Sequence, residues 1–182
     1  MKRNHSFLIA GLLALTFGCS KSNDTVTPAP ATADLLVRTW DFSDVSVKTD
    51  AKLYAIPAQG GALFGDDNRL TFTKAGTITY LESGKTATGK WALSDNDKTL
   101  TLTDADNYSL KTTINSISST NLELASANVN VAKNNPSTEE AGVLFYTTLL
   151  LDSIDKEQGG TVDFTKEPAV KSVQLILKAN AK

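Results

Sequence analysis

From Leu70 to Leu124 apolar and polar residues alternate in short runs, and turn residues interrupt them about every ten positions, the pattern of antiparallel strands with one buried face. Leu70 and Phe72 precede Lys74-Ala75-Gly76, and Ile78 and Tyr80 precede Ser83-Gly84-Lys85. Trp91 and Leu93 run to Ser94-Asp95-Asn96-Asp97, and Leu100 and Leu102 to Asp104-Ala105-Asp106-Asn107. Tyr108, Leu110 and Ile114 then lead to Ser118-Ser119-Thr120, with Leu122 and Leu124 beyond. Successive side chains point to opposite faces of a strand, so the intervening Thr71, Thr73, Lys90, Thr101, Thr103, Lys111, Thr113 and Glu123 form a polar outer face. Phe72, Tyr80, Trp91 and Leu102 are expected to converge on a common interior.

A first strand is predicted over Leu36 to Val47, with Leu36, Trp40 and Phe42 on one face. Val45 and Val47 follow one position out of phase, which predicts a bulge near Ser43-Asp44. Val173, Leu175 and Leu177 alternate again and make a final strand placed to close the sheet. The fold class is therefore mainly β: an antiparallel up-and-down meander that closes most simply as a barrel, with an open sheet folded onto a helix as the alternative. That helix is read over residues 141–155. Ser137 and Glu140 match a capping box, Glu139 and Glu140 sit at the positive end, and Gly159-Gly160 mark the stop. Val143, Tyr146, Leu150 and Ile154 line one side, while Phe145 and Leu149 fall opposite; a fully buried strand would satisfy that two-sidedness too.

The amino terminus changes the picture. Lys2 and Arg3 precede an apolar stretch from Phe7 to Phe17, then Gly18 and Cys19, the sole cysteine. The stretch is shorter than the roughly 20 apolar residues that span a bilayer, and it reads as a cleaved leader. Leu15-Thr16-Phe17-Gly18-Cys19 resembles a bacterial lipobox, although Thr16 and Phe17 replace the commoner Leu and Ala or Ser. The resemblance implies a signal peptide at 1–18 and a lipidated Cys19, with ordinary secretion as the rival. Residues 19–33, rich in Ser, Thr, Pro and Ala, read as the lipidated cysteine and a tether, and 34–182 as one domain. Ser20 lacks the aspartate associated with inner-membrane retention. The expected site is the outer membrane, with the periplasmic or surface face left open.

Losing residues 1–18 removes the only histidine, His5, and the only methionine, Met1. With no histidine left and Cys19 expected to be acylated, imidazole-dependent and thiolate-dependent metal sites and Ser-His-Asp or Cys-His catalysis have no residues to draw on. The expectation is a protein that is no enzyme and carries no cofactor. The 18 basic residues less Lys2 and Arg3, against 20 acidic, leave a mildly acidic chain, which argues against a nucleic-acid partner. Asp66-Asp67, Asp95 with Asp97, and Asp104 with Asp106 have the spacing of hard-cation ligands. They lack the glycine and terminal glutamate of a calcium loop, and turn formation explains them better.

Leu36-Val37-Arg38-Thr39-Trp40, Leu70-Thr71-Phe72-Thr73-Lys74-Ala75-Gly76-Thr77, Thr88-Gly89-Lys90-Trp91-Ala92-Leu93-Ser94 and Leu100-Thr101-Leu102, in that order, resemble the lipocalin-like domain of bacterial, Bacteroidota-type lipoproteins. The likeness runs from Leu35 to about Leu124. It implies a lipocalin-like, calycin-type barrel that holds a small apolar or amphipathic ligand, or else an envelope structural or interaction protein without a cavity. Arg38 stands where relatives usually have glycine. The resemblance also implies a basic side chain of the last strand over the first tryptophan, for which this chain offers Lys171 or Lys178.

Barrels bind at their mouths, so the long connection Thr49 to Arg69 is the candidate lid, or a plug of one end. Tyr54 and Phe64 within it, with Tyr80, Trp91 and Tyr108 from the strands, are the candidate ligand-binding residues. Aromatic walls with polar tips suit an amphipathic ligand, although the same residues suit a packed core.

Overall fold

The computed structural model describes residues 31–57 and 64–182. The leader, Cys19 and the tether up to residue 30 lie outside the described residues, as do residues 58–63 of the long connection. A short helix α1 (Thr32–Leu36) leads into β1 (Thr39–Thr49), β2 (Leu53–Ile56), β3 (Arg69–Phe72), β4 (Thr77–Glu82), β5 (Lys85–Ser94), β6 (Thr99–Thr103), β7 (Ser109–Ile117), β8 (Asn121–Ser126) and β9 (Val129–Asn130). Helix α2 (Thr138–Ile154) and strand β10 (Ser172–Ala181) complete the chain.

Each of β3 to β8 pairs antiparallel with its neighbour in sequence, β8 pairs with β10, and β10 pairs with β1 from Trp40 opposite Ala181 to Thr49 opposite Val173. All ten strands except β2 and β9 thus form a closed, eight-stranded barrel. β2 and β9 extend it at one end, β2 lying beside Val45–Lys48 of β1 and β9 beside Ser172–Val173 of β10. Closure leaves the ring without an unpaired edge.

The bulge falls where the phase slip predicts it. The β1–β10 register shifts between Asp41 and Asp44, and the Phe42 amide donates instead to Asn68 O at 3.0 Å. Phe42, Val45 and Val47 are all buried as a result. Leu36 corrects the predicted first strand: it is the last residue of α1, buried beneath the barrel end, and its carbonyl accepts the Trp40 indole N–H at 3.0 Å. Thr32 and Ala33, read as tether, are helical.

Residues 138–154 are helix and not strand. The Ser137 hydroxyl accepts from the Glu140 amide at 3.2 Å while the Glu140 carboxylate accepts from the Ser137 amide at 2.8 Å, so the capping box is reciprocal. The stop differs from expectation. The chain turns extended at Asp155, and Gly159, at φ +89°, ends a separate 3-10 turn over Lys156–Gln158. Val143, Thr147, Leu150 and Ile154 are buried, with the Thr147 hydroxyl returned to Val143 O at 2.7 Å. Phe145 and Leu149 face outward at 61% and 50% exposure, as the opposite side of the predicted stripe requires. The helix touches β7, β10, β1, β2 and β9, so it lies across one end of the barrel.

Candidate ligand-binding site

Inside the barrel Trp40, Phe42, Phe72, Leu100, Leu122, Leu124, Leu175 and Leu177 are fully buried and fill most of the lumen. Space remains at the end crossed by α2. A cavity of about 160 Å³ opens there between the inward faces of β3, β4, β6 and β7, the Phe64-Gly65 turn and the helix. Its floor is Leu70, Ile78, Leu102 and Leu110, and its upper wall is Phe64, Tyr80, Tyr108 and Tyr146 with Glu82 and Asp104.

Strand alternation builds this wall. Ile78, Tyr80 and Glu82 occupy alternate positions of β4 and point to one face. Leu102 sits on β6 opposite Leu110 of β7, just before the turn that carries Asp104 and Tyr108. Asp104 fixes that turn, its Oδ1 accepting from the Asp106 and Tyr108 amides, each at 2.9 Å. The Tyr80 hydroxyl accepts from the Ala105 amide at 3.2 Å, tying β4 to the same turn. Phe64 is braced against Phe42, ring centroids 5.0 Å apart, and Gly65 has φ +64°; a Cβ there would fall 1.9 Å from Leu81 O. Burial, and then the nearby Asp104 charge, push the Tyr146 hydroxyl above the ordinary tyrosine value.

The cavity gathers Phe64, Tyr80 and Tyr108 from the five candidate aromatics. Tyr108 stands at its lip and is 71% exposed. Trp91 shares the interior face, opposite Leu102, yet lies outside the cavity wall. Its ring meets Phe72 at 5.9 Å and its indole N–H donates to Thr73 O at 3.1 Å, so it closes the far end of the meander. Tyr54 is buried on β2 against Phe164 at 5.4 Å, with the Lys52 ammonium 4.7 Å above its ring, and it too lies outside the wall. The long connection is therefore partly strand and partly wall rather than an unbroken loop.

Sequence reading missed Tyr146, Glu82 and Asp104 as wall residues. Glu82 was the most accessible of the three, because the alternation that turns Ile78 and Tyr80 inward also turns Glu82 inward. Tyr146 could be read as stripe residue only, since its place over a cavity depends on where the helix docks.

At the opposite end the basic partner of the first tryptophan is Arg38 itself, not Lys171 or Lys178. Its guanidinium carbon stands 5.5 Å from the Trp40 ring centroid, and its Nη1 donates to Ser119 O. Lys178 instead faces Glu123 at 3.9 Å. Arg38, just ahead of β1, supplies the cation over the Trp40 ring, while Lys178 of the last strand is turned to Glu123. The acid pairs act as turn builders: Asp66 accepts from the Ser83 and Gly84 amides, Asp67 from Arg69, and Asp95 from the Thr99 hydroxyl.

Compared by sequence, residues 36–124 match the Lipocalin-like domain family. Over that segment, 89 of the 182 residues, the chain is similar to a lipocalin-like domain. The matched segment begins in α1 and ends in β8, so the cavity's strand walls fall within it, whereas α2 and the closing strand β10 lie beyond it. Neither the curated proteins nor the solved structures compared with the chain yield a match.

Proposed function

We propose that this lipocalin-like protein is a non-enzymatic binding module, anchored to the outer membrane by acyl chains on Cys19, whose cavity beneath α2 holds a small apolar or amphipathic molecule. The observation that carries the reading is the cavity itself. In a barrel otherwise filled by its own side chains, one end keeps an apolar floor and a wall of aromatic and polar groups. Its volume is close to the roughly 150 Å³ of cavities that accept a single benzene-sized guest, which favours a compact ligand over a long acyl chain.

Among the described residues no helix is long and apolar enough to cross a membrane; the attachment proposed is by the acylated cysteine. Each buried methylene contributes about 0.8 kcal/mol, and two or more chains hold a protein to a bilayer almost permanently. Metabolic labelling with an alkyne-bearing palmitate tests the anchor. The wild-type chain is expected to take up label and sediment with membranes, and Cys19→Ala to do neither; label retained by the variant contradicts the anchor.

A titration with benzyl alcohol, followed by amide NMR, tests the site. Shifts are expected at Tyr80, Leu102, Leu110 and Tyr146, and Leu102→Trp is expected to remove them by filling the floor. Shifts confined to the outer face of α2 would instead favour the alternative of a protein-interaction lipoprotein, the reading that the exposed Phe145 and Leu149 support.

A further inference from the structure

The polar groups of the cavity are of one kind. Glu82 and Asp104 contribute carboxylates, Tyr80, Tyr108 and Tyr146 contribute rings and hydroxyls, and among the described residues no lysine or arginine lines it. Glu82 makes no ion pair among the described residues, and Lys85, opposite it across the β4–β5 hairpin, is exposed and stands outside the wall. Asp104 spends Oδ1 on two turn amides, which orients its carboxylate at the rim. Glu82 is exposed and Asp104 half-buried, so both carboxylates stand hydrated at the rim; an anion entering the space meets their negative charge, and a neutral molecule gains nothing from it. A cation pairs with the carboxylates and also gains from the negative faces of the rings.

We infer that the cavity selects a small organic ammonium ion, of the size of a single ring or a quaternary ammonium head, seated between Tyr80, Tyr108 and Tyr146 with its charge toward Glu82 and Asp104. The inference rests on the reading of this cavity as the ligand site. The apolar floor of Ile78, Leu102 and Leu110 receives the alkyl part, and the tyrosine rings and carboxylates ring the charge. The same negative field accounts for part of the rise of the Tyr146 hydroxyl, to which Asp104 contributes after burial. Size limits the choice from the other side: about 160 Å³ takes a head group and a short chain, and excludes polyamines folded on themselves and long-chain amphiphiles whose tail would need the filled lumen.

The test compares choline with its neutral isostere 3,3-dimethylbutan-1-ol in amide NMR titrations of the full chain. Choline is expected to shift Tyr80, Leu102 and Tyr146 and to bind about tenfold or more tighter than the alcohol. The double variant Glu82→Gln and Asp104→Asn keeps the size of both groups and the turn acceptor of residue 104. It is expected to lose about tenfold for choline and to leave the alcohol unchanged. Equal binding of the two probes, or choline binding indifferent to the double variant, overturns the ammonium inference while the cavity stands as a ligand site. Absence of shifts from both probes at millimolar concentration overturns the inference and the ligand-site reading together.

Discussion

A methyl group added at Gly89 would fall 2.2 Å from Thr103 O and 3.1 Å from Cγ1 of Ile78. Gly89 lies on the inward face of β5 opposite Ile78, so the barrel closes here by backbone approach rather than by side-chain interlock. Gly89→Ala is therefore expected to destabilise the protein by about 1–3 kcal/mol, read from the urea midpoint with an unchanged slope. Arg38 makes the opposite case. Its guanidinium faces Trp40 and binds Ser119 O, and Arg38→Met, which keeps the stem, is expected to cost about 1–3 kcal/mol. Gly89 was legible only as part of a motif, because the need for glycine there comes from Thr103 O and Ile78 on the neighbouring strands. The role of Arg38 was not, because the partner of Trp40 was sought on the last strand, and only the barrel's closure shows that a side chain two residues away already occupies the place.

At the scale of elements, the strands were legible wherever one face is buried and the other wet, since period two then leaves its mark on every second residue. Leu36 escaped that logic: its apolar side chain matches the alternation whether it ends a helix or begins a strand. Helix α2 carries its own start signal in Ser137 and Glu140, and Ser137→Ala is expected to cost about 1 kcal/mol of stability. The helix also brings a pH dependence. Lys133 first, and then the Ser137 amide, hold the Glu140 carboxylate below the usual value of 4.5. At the β1–β2 turn the Lys171 amide does the most to hold Asp50 below 3.8. For an acid whose folded-state value is depressed, stability is complete above the unfolded value and is lost as pH falls through the folded one. Urea midpoints are thus expected to be flat above about pH 5 and to drop below it, and Glu140→Gln is expected to shallow that drop. On the outer face, replacing Leu149 with Gln should change stability by no more than about 0.5 kcal/mol, since half of its side chain is exposed, and replacing Phe145 with Ser should cost about 0.5–1 kcal/mol, since its exposed ring still meets the edge of Tyr146.

At the scale of the whole molecule, the meander and the final strand together made closure the simplest topology, and β10 does close on β1 along nearly its whole length. Phe72 and Leu102 are buried, and Tyr80 and Trp91 are half-buried on the same interior face, so the four residues expected to converge do so, although at two ends of one lumen. What the chain could not disclose was how the lumen divides into a filled part and an empty one. That division depends on side chains from strands far apart in sequence, and on the docking of α2, which sets Tyr146 over the space left by Leu102 and Leu110. The binding account therefore stands on an open space at one place in the barrel. A crystal of the protein pressurised with xenon probes it directly: the account predicts a xenon atom between Leu102, Leu110 and Tyr146, and a barrel whose end beneath α2 is closed by its own side chains, with no xenon there, would contradict it.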